Sequence, residues 1–108
     1  MRAVKFGPSA TTVRSGPPGL PERPMLDQNY PNPFNPLTTI RFAVPERGRV
    51  RLEVFNMLGQ EIVTLVDDVM EAGYHSVECD AARLPSGVYV YRMTAGSVVQ
   101  SRKMTLLR

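Results

Sequence analysis

The sequence holds one cysteine, one histidine and no tryptophan. With Cys79 alone, no internal disulfide can form. A thiol–imidazole pair would have to be Cys79 with His75, four apart in an alternating stretch. At roughly 3.3 Å of rise per residue their side chains start about 13 Å apart along a strand, too far for a catalytic pair. The expectation for Cys79 is therefore a buried thiol that serves as a small hydrophobe.

Long apolar runs are missing too. None reaches the roughly 18 residues that a membrane span needs, and the N-terminus lacks the apolar core of a signal peptide. An exported protein with this chain would carry its signal elsewhere. Basic charge is scarce where it would matter. The formal net charge is +3, and residues 1–24 account for all of it through Arg2, Lys5, Arg14 and Arg23 against Glu22. The rest of the chain sums to zero. Arg47, Arg49 and Arg51 alternate, which marks a solvated strand face rather than a nucleic-acid stripe.

Catalytic and metal-binding groups are equally thin. The candidate acids Asp67, Asp68, Glu71 and Asp80 fall in predicted loops, with no base, metal set or phosphate loop near them. Asp67 and Asp68 are most simply turn residues, with a stray cation site as the alternative. "LPSG" at 84–87 lacks the threonine and the apolar tail of a sortase signal. These absences predict a chain that is not an enzyme and takes no cofactor or metal.

Proline is abundant and uneven. Eight of ten prolines lie at or before Pro36. Residues 1–24 are rich in Pro, Gly, Ser and Thr and have no apolar period, so they read as a disordered or extended linker. Its Pro-x-x-Pro spacings (Pro18 to Pro21, Pro21 to Pro24) occur by chance in any such segment.

From residue 37 the apolar period is two. Ile40, Phe42 and Val44 alternate with polar neighbours, as do Val50, Leu52 and Val54. Pro45 to Gly48 is turn chemistry, which predicts a hairpin between these two strands. A turn at 56–60 with Asn56 and Gly59 leads to a strand over 61–66 whose inward face the period does not assign. Residues 67–73 read as a connection, with a short helical turn possible. The strand over 74–80 points either His75, Val77 and Cys79 or Tyr74 and Ser76 inward. Residues 88–95 are apolar on both faces, which predicts a central strand, and "GS" at 96–97 predicts a tight hairpin. The last strand sets Met104 and Leu106 against Lys103 and Thr105. Six strands result, or seven if residues 25–30 pair. The expected fold is an all-β antiparallel sandwich or small barrel.

The stretch "QNYPNPFNP" (28–36) is the densest feature. Each proline removes a backbone donor, fixes φ, and restrains the residue before it. A central strand is excluded. What remains is a stiff entry segment that blocks an edge at one end of the sandwich, with Tyr30 and Phe34 as apolar anchors, or else a recognition epitope.

These stretches carry a family resemblance. Pro31-Asn32-Pro33-Phe34-Asn35-Pro36, the Gly59 turn after a Val-x-Leu-x-Val strand, "LPSGVY" with Gly87 and Tyr89, and Lys103 near the end stand in order. Together they resemble the type A C-terminal sorting domain of the type IX (Por) secretion system, which is similar to the immunoglobulin-like domain of hook-capping proteins. The resemblance runs from about Leu26 to Arg108, so the expected division is a linker over 1–24 and a sorting domain over 25–108. Where many family members carry Trp before the Asp that follows this strand, the chain has Cys79.

The resemblance implies an immunoglobulin-like antiparallel β-sandwich of about seven strands, serving as a monomeric, non-catalytic signal domain on a covalently linked upstream cargo. It implies export by way of the periplasm, with the domain read by an outer-membrane translocon and a sortase-like protease. The cargo then stands on the cell surface or is secreted. The alternative is a hook-cap-like structural, adhesion or assembly module. A chain that ends at residues 103–108 is what a terminal sorting signal requires.

Overall fold

A computed structural model describes residues 19–108. Most of the predicted linker, residues 1–18, lies outside the described residues. Seven strands follow: β1 (Met25–Leu26), β2 (Leu37–Val44), β3 (Gly48–Phe55), β4 (Glu61–Met70), β5 (Gly73–Asp80), β6 (Gly87–Ala95) and β7 (Val98–Leu106). They form two antiparallel sheets in the orders β1-β2-β5 and β4-β3-β6-β7. This is the sandwich that the alternating pattern predicts, three strands against four.

The core lies between the inner faces. Ile40, Phe42 and Val44 from one sheet meet Val50, Leu52, Val54, Tyr91, Met93, Met104 and Leu106 from the other. On β5 the inward set is His75, Val77 and Cys79, and Tyr74 points to solvent. The His75 ring stacks on Phe42, with centroids 5.3 Å apart. The β6 strand is central, as its two apolar faces imply.

Three expectations fail, each for a physical reason. First, β2 and β3 are not a hairpin. The β2 strand pairs with β5, and β3 pairs with β4 and β6. Residues 45–47 form an arch from one sheet to the other. The apolar sets of the two strands can then face each other across the core instead of sharing one surface. Gly48 lacks the positive φ of a tight hairpin turn.

Second, residues 67–70 are strand, and only Glu71 and Ala72 connect β4 to β5. Asp67 and Asp68 read as turn residues, yet they sit opposite Arg51 and Val50 in the ladder. Asp67 takes a salt bridge from Arg49 at 2.8 Å. The Asp68 carboxylate accepts the Val69 N–H at 2.7 Å. Opposite charges across a strand pair replace the turn that their sequence suggests.

Third, Tyr30 is no anchor: it is 80% exposed, whereas Phe34 is 2% exposed. The inward face of β4 resisted assignment because its ladder shifts register twice, between Leu52 and Glu53 and between Val54 and Phe55. Each shift inserts one residue, Leu65 and then Ile62, and so breaks the period of two.

The arginine stripe is neutralised in place. Arg47 pairs with Glu71, Arg49 with Asp67, and Arg51 with the buried Glu53. Among the described residues, no helix is long and apolar enough to cross a membrane.

Candidate functional site

The register places the two ends of the sandwich unambiguously. Val44, Val50 and Ala95 lie at the end where the chain enters, near Pro24. Leu37, Asp80, Gly87 and Leu106 lie at the other end. Most of the residues singled out in the sequence gather at this second end.

The proline-rich entry is pinned there by its few remaining polar groups. The peptide bonds preceding Pro31, Pro33 and Pro36 are cis. Phe34 sits beside Leu106 as an isolated parallel bridge. Its N–H donates to the Thr105 carbonyl and its carbonyl accepts the Leu107 N–H, both at 3.0 Å. Asn32 Oδ1 accepts the Thr105 N–H at 2.9 Å. The free edge of β7 is thus occupied by a segment too poor in donors to continue the sheet. The expected edge-blocking device is what these contacts build.

The buried start of this segment is held by a polar network. Tyr91 Oη donates to the Asp27 carbonyl at 2.6 Å and accepts the Asn29 N–H at 2.8 Å. The Asn29 side-chain amide donates to Thr38 Oγ1 and to the Pro31 carbonyl. Upstream, the Gln100 side chain accepts the Leu26 N–H and donates to the Pro24 carbonyl, and the Arg102 guanidinium donates to the Leu26 carbonyl. The buried side chains of Asn29 and Thr38 and the Tyr91 hydroxyl are all partnered, as burial demands.

The loop after β5 closes the same end. The Ala81 N–H donates to the Pro36 carbonyl at 2.9 Å. Tyr89 Oη donates to the Pro85 carbonyl at 2.6 Å. The Arg108 guanidinium donates to the carbonyls of Ala81, Ala82 and Leu84. Gly87 opens β6 opposite Leu106.

Two motif residues stand apart from this cluster. Gly59, with φ of 83°, lies in the β3–β4 turn at the same end. Lys103 pairs with Val90 in the ladder, and its side chain is exposed on the outer face of the four-stranded sheet. Its carbonyl accepts Gln28 Nε2 at 2.7 Å. Asn35 is exposed beside Pro36. Arg108, Asn29, Thr38 and Gln100 belong to the assembly but carry no sequence signal. Each is an ordinary polar residue until the fold brings its partner, up to 76 positions away.

The acids considered for chemistry are spread and engaged. Asp67 and Glu71 hold arginines, Asp68 caps Val69, and Asp80 Oδ1 accepts the Ala82 N–H at 3.0 Å. His75 Nε2 bonds the Glu71 carbonyl at 2.7 Å. Among the described residues no three metal-ligating side chains come together.

Burial sets the titration of two groups. It pushes the Cys79 thiol up from 9.0, with help from Asp80. It pushes Tyr91 up to about 12 from 10.0, against the opposing effects of its Asn29 bond and Arg102. Both groups hold their protons more tightly folded than unfolded. Between pH 9 and 12 the unfolded chain has shed protons that the native chain keeps, so stability falls as pH rises. Below about pH 8 neither group titrates in either state, and stability does not depend on them. Tyr91 alone accounts for a loss on the order of 2 kcal/mol by pH 12. Urea unfolding across that range checks the slope, which Tyr91→Phe should flatten.

Three comparisons bear on this end of the molecule. A family model described as "Secretion system C-terminal sorting domain" matches residues 28–106. A comparison with curated proteins finds no match. A solved structure, the crystal structure of dimeric latent PorU from Porphyromonas gingivalis, is similar in fold at 17% identity and a TM-score of 0.64. The similarity covers 78% of this chain and 9% of that one, so the chain spans less than a tenth of that protein's length.

Proposed function

The chain belongs to the secretion system C-terminal sorting domain family, and from that membership we propose that it addresses a covalently attached upstream cargo to the outer-membrane translocon of a type IX (Por) system. The cargo crosses the periplasm, and the domain is read at the outer membrane by the translocon and a sortase-like protease. The domain itself is a non-catalytic monomer. Any chemistry belongs to the cargo.

The match across residues 28–106 carries this reading. The geometry supports it by giving the motif a physical role. Residues 31–36, 84–89 and 104–108 are bonded to one another at a single end of the sandwich, far from the entry at Pro24. A cargo attached before Pro24 leaves that end clear. Among the motif residues, we assign Pro31, Asn32, Pro33, Phe34, Asn35, Pro36, Gly87 and Tyr89 to shaping the recognised end. Gly59 and Lys103 present groups beside it.

The test is a gain of function. A reporter with a periplasmic signal peptide is fused ahead of residues 1–108 and expressed in a bacterium with a type IX system. The fusion is expected outside the cell or on its surface, and in the periplasm of a translocon-deficient strain. Equal export from both strains would remove the assignment.

A further inference from the structure

Among the described residues the two sheets have four edges, and three of them are defended. The β1 strand is two residues long. The β4 ladder shifts register twice. The β7 edge is blocked by Asn32 and Phe34. The fourth edge, β5, runs eight residues with no register shift, no proline, no Lys and no Arg. Among the described residues it pairs with β2 alone.

The ladder phase shows which β5 groups are left over. The Ala81 N–H donates to the Pro36 carbonyl, and Thr39 turns its N–H and carbonyl to Tyr30. Hydrogen-bonded pairs alternate along an antiparallel ladder. Gly73, His75, Val77 and Cys79 therefore bond β2, whereas Tyr74, Ser76, Glu78 and Asp80 aim their backbone groups at the open edge. Beneath that edge the core is not closed: Val77 on β5 and Leu65, Val66 and Met70 on β4 are only half-buried.

The chain itself arrives at this edge. Gly19 bends it with φ of 90°, and Pro21 is buried. Leu20 Cδ2 lies 3.9 Å from where a Cβ on Gly73 would stand, and Gly73 begins β5. A segment that ends at Gly19 and lies along the edge therefore runs antiparallel to β5, the better-bonded orientation. The nearest proline-free run upstream is Ser9 to Gly16, which lies outside the described residues; Thr11, Thr12 and Val13 are β-branched in succession. A run of that length extends about 27 Å, enough to line β5. Charge agrees as well. Residues 1–18 hold Arg2, Lys5 and Arg14 and no acid, while Glu78 and Asp80 of β5 have no ionic partner among the described residues.

We propose that residues 9–16 add a fourth strand to the three-stranded sheet by pairing antiparallel with β5. Alternation then lets Val13 face inward beside Val77 while Arg14 faces outward beside Glu78. Because it is tethered, this strap meets the edge at an effective concentration near the millimolar range. A second copy lacks that advantage and would set two acidic edges together. Docked, the strap leads everything before residue 9 towards the Asp80 end. Released, it leaves that end clear, so in the sorting function proposed above the strap is let go on recognition. The docking itself does not rest on that function.

Amide exchange is followed in the purified full chain, residues 1–108, and in the same chain with Thr12→Pro and Val13→Pro. In the wild type the Ser76 and Glu78 N–H groups are expected to exchange about tenfold more slowly than in the proline pair, as a strap docked roughly nine-tenths of the time gives. Arg14→Glu is expected to lose part of that protection. The Val77 N–H, which bonds β2, is expected to stay slow throughout. Equal exchange of Ser76 and Glu78 in the wild type and the proline pair overturns the strap. Equally slow exchange in a chain that sediments as a dimer overturns it in favour of a second copy. Loss of Val77 protection in the proline pair overturns it by making the segment part of the fold. No translocon takes part in this measurement, so export of the reporter fusion decides the sorting function separately.

Discussion

Phe34→Ala is expected to lower the unfolding free energy by about 3–5 kcal/mol, the usual cost of emptying a buried phenylalanine site. The side chain is 2% exposed and packs in the main core cluster. Its flanking residues cannot easily collapse into the space, because Pro33 and Pro36 stiffen the backbone on either side. Domains of this size have about 5–15 kcal/mol in total, so the loss is a large share of it. Export should fall in proportion to the unfolded fraction at the growth temperature. Denaturant unfolding and export of the reporter fusion, measured on the same variant, separate two roles. A variant that unfolds like wild type yet stays in the periplasm would make Phe34 an epitope rather than a brace.

Deleting residues 103–108 is expected to abolish cooperative unfolding and strand the cargo in the periplasm. Met104 and Leu106 are both 0% exposed, and burying two such side chains is worth about 3–6 kcal/mol. The deletion also removes both backbone partners of Phe34, the acceptor of Gln28, and the Arg108 guanidinium that gathers three loop carbonyls. These losses together match the stability of a small domain. Loss of the thermal transition, with the reporter recovered from the periplasm, is the expected result. Secretion unimpaired by the deletion would sink the claim that the last strand is required.

Much of this was legible before the fold. Strands β2, β3 and β7 announce themselves through alternation, and their inward residues are the ones that alternation selects, whereas β6, apolar on both faces, announces only its central place. Phe34 reads as an anchor because it is wholly apolar. Tyr30 reads the same way but carries a hydroxyl, and its ring stands in solvent. Turn chemistry at 45–48 says that the chain reverses. It does not say whether the next strand joins the same sheet or the opposite one, because that depends on which partners lie across the core. The Asp67–Asp68 pair resembles a turn until Arg49 and Arg51 stand beside it. Two inserted residues hide the face of β4 from any period. At the motif end, the prolines show what cannot happen, namely a regular strand. The groups that Asn32, Phe34 and Arg108 bond are set by tertiary contact, which no local pattern encodes.

The side-chain contacts between the entry segment around β1 and β7 join residues 73 to 76 positions apart. Ring closures of that length are entropically costly and are met late, so a sandwich built on them folds on the order of milliseconds to seconds rather than microseconds. The seam between first and last strands also ties the two ends of the described domain together, so that neither can come loose without uncovering Phe34 and Leu106.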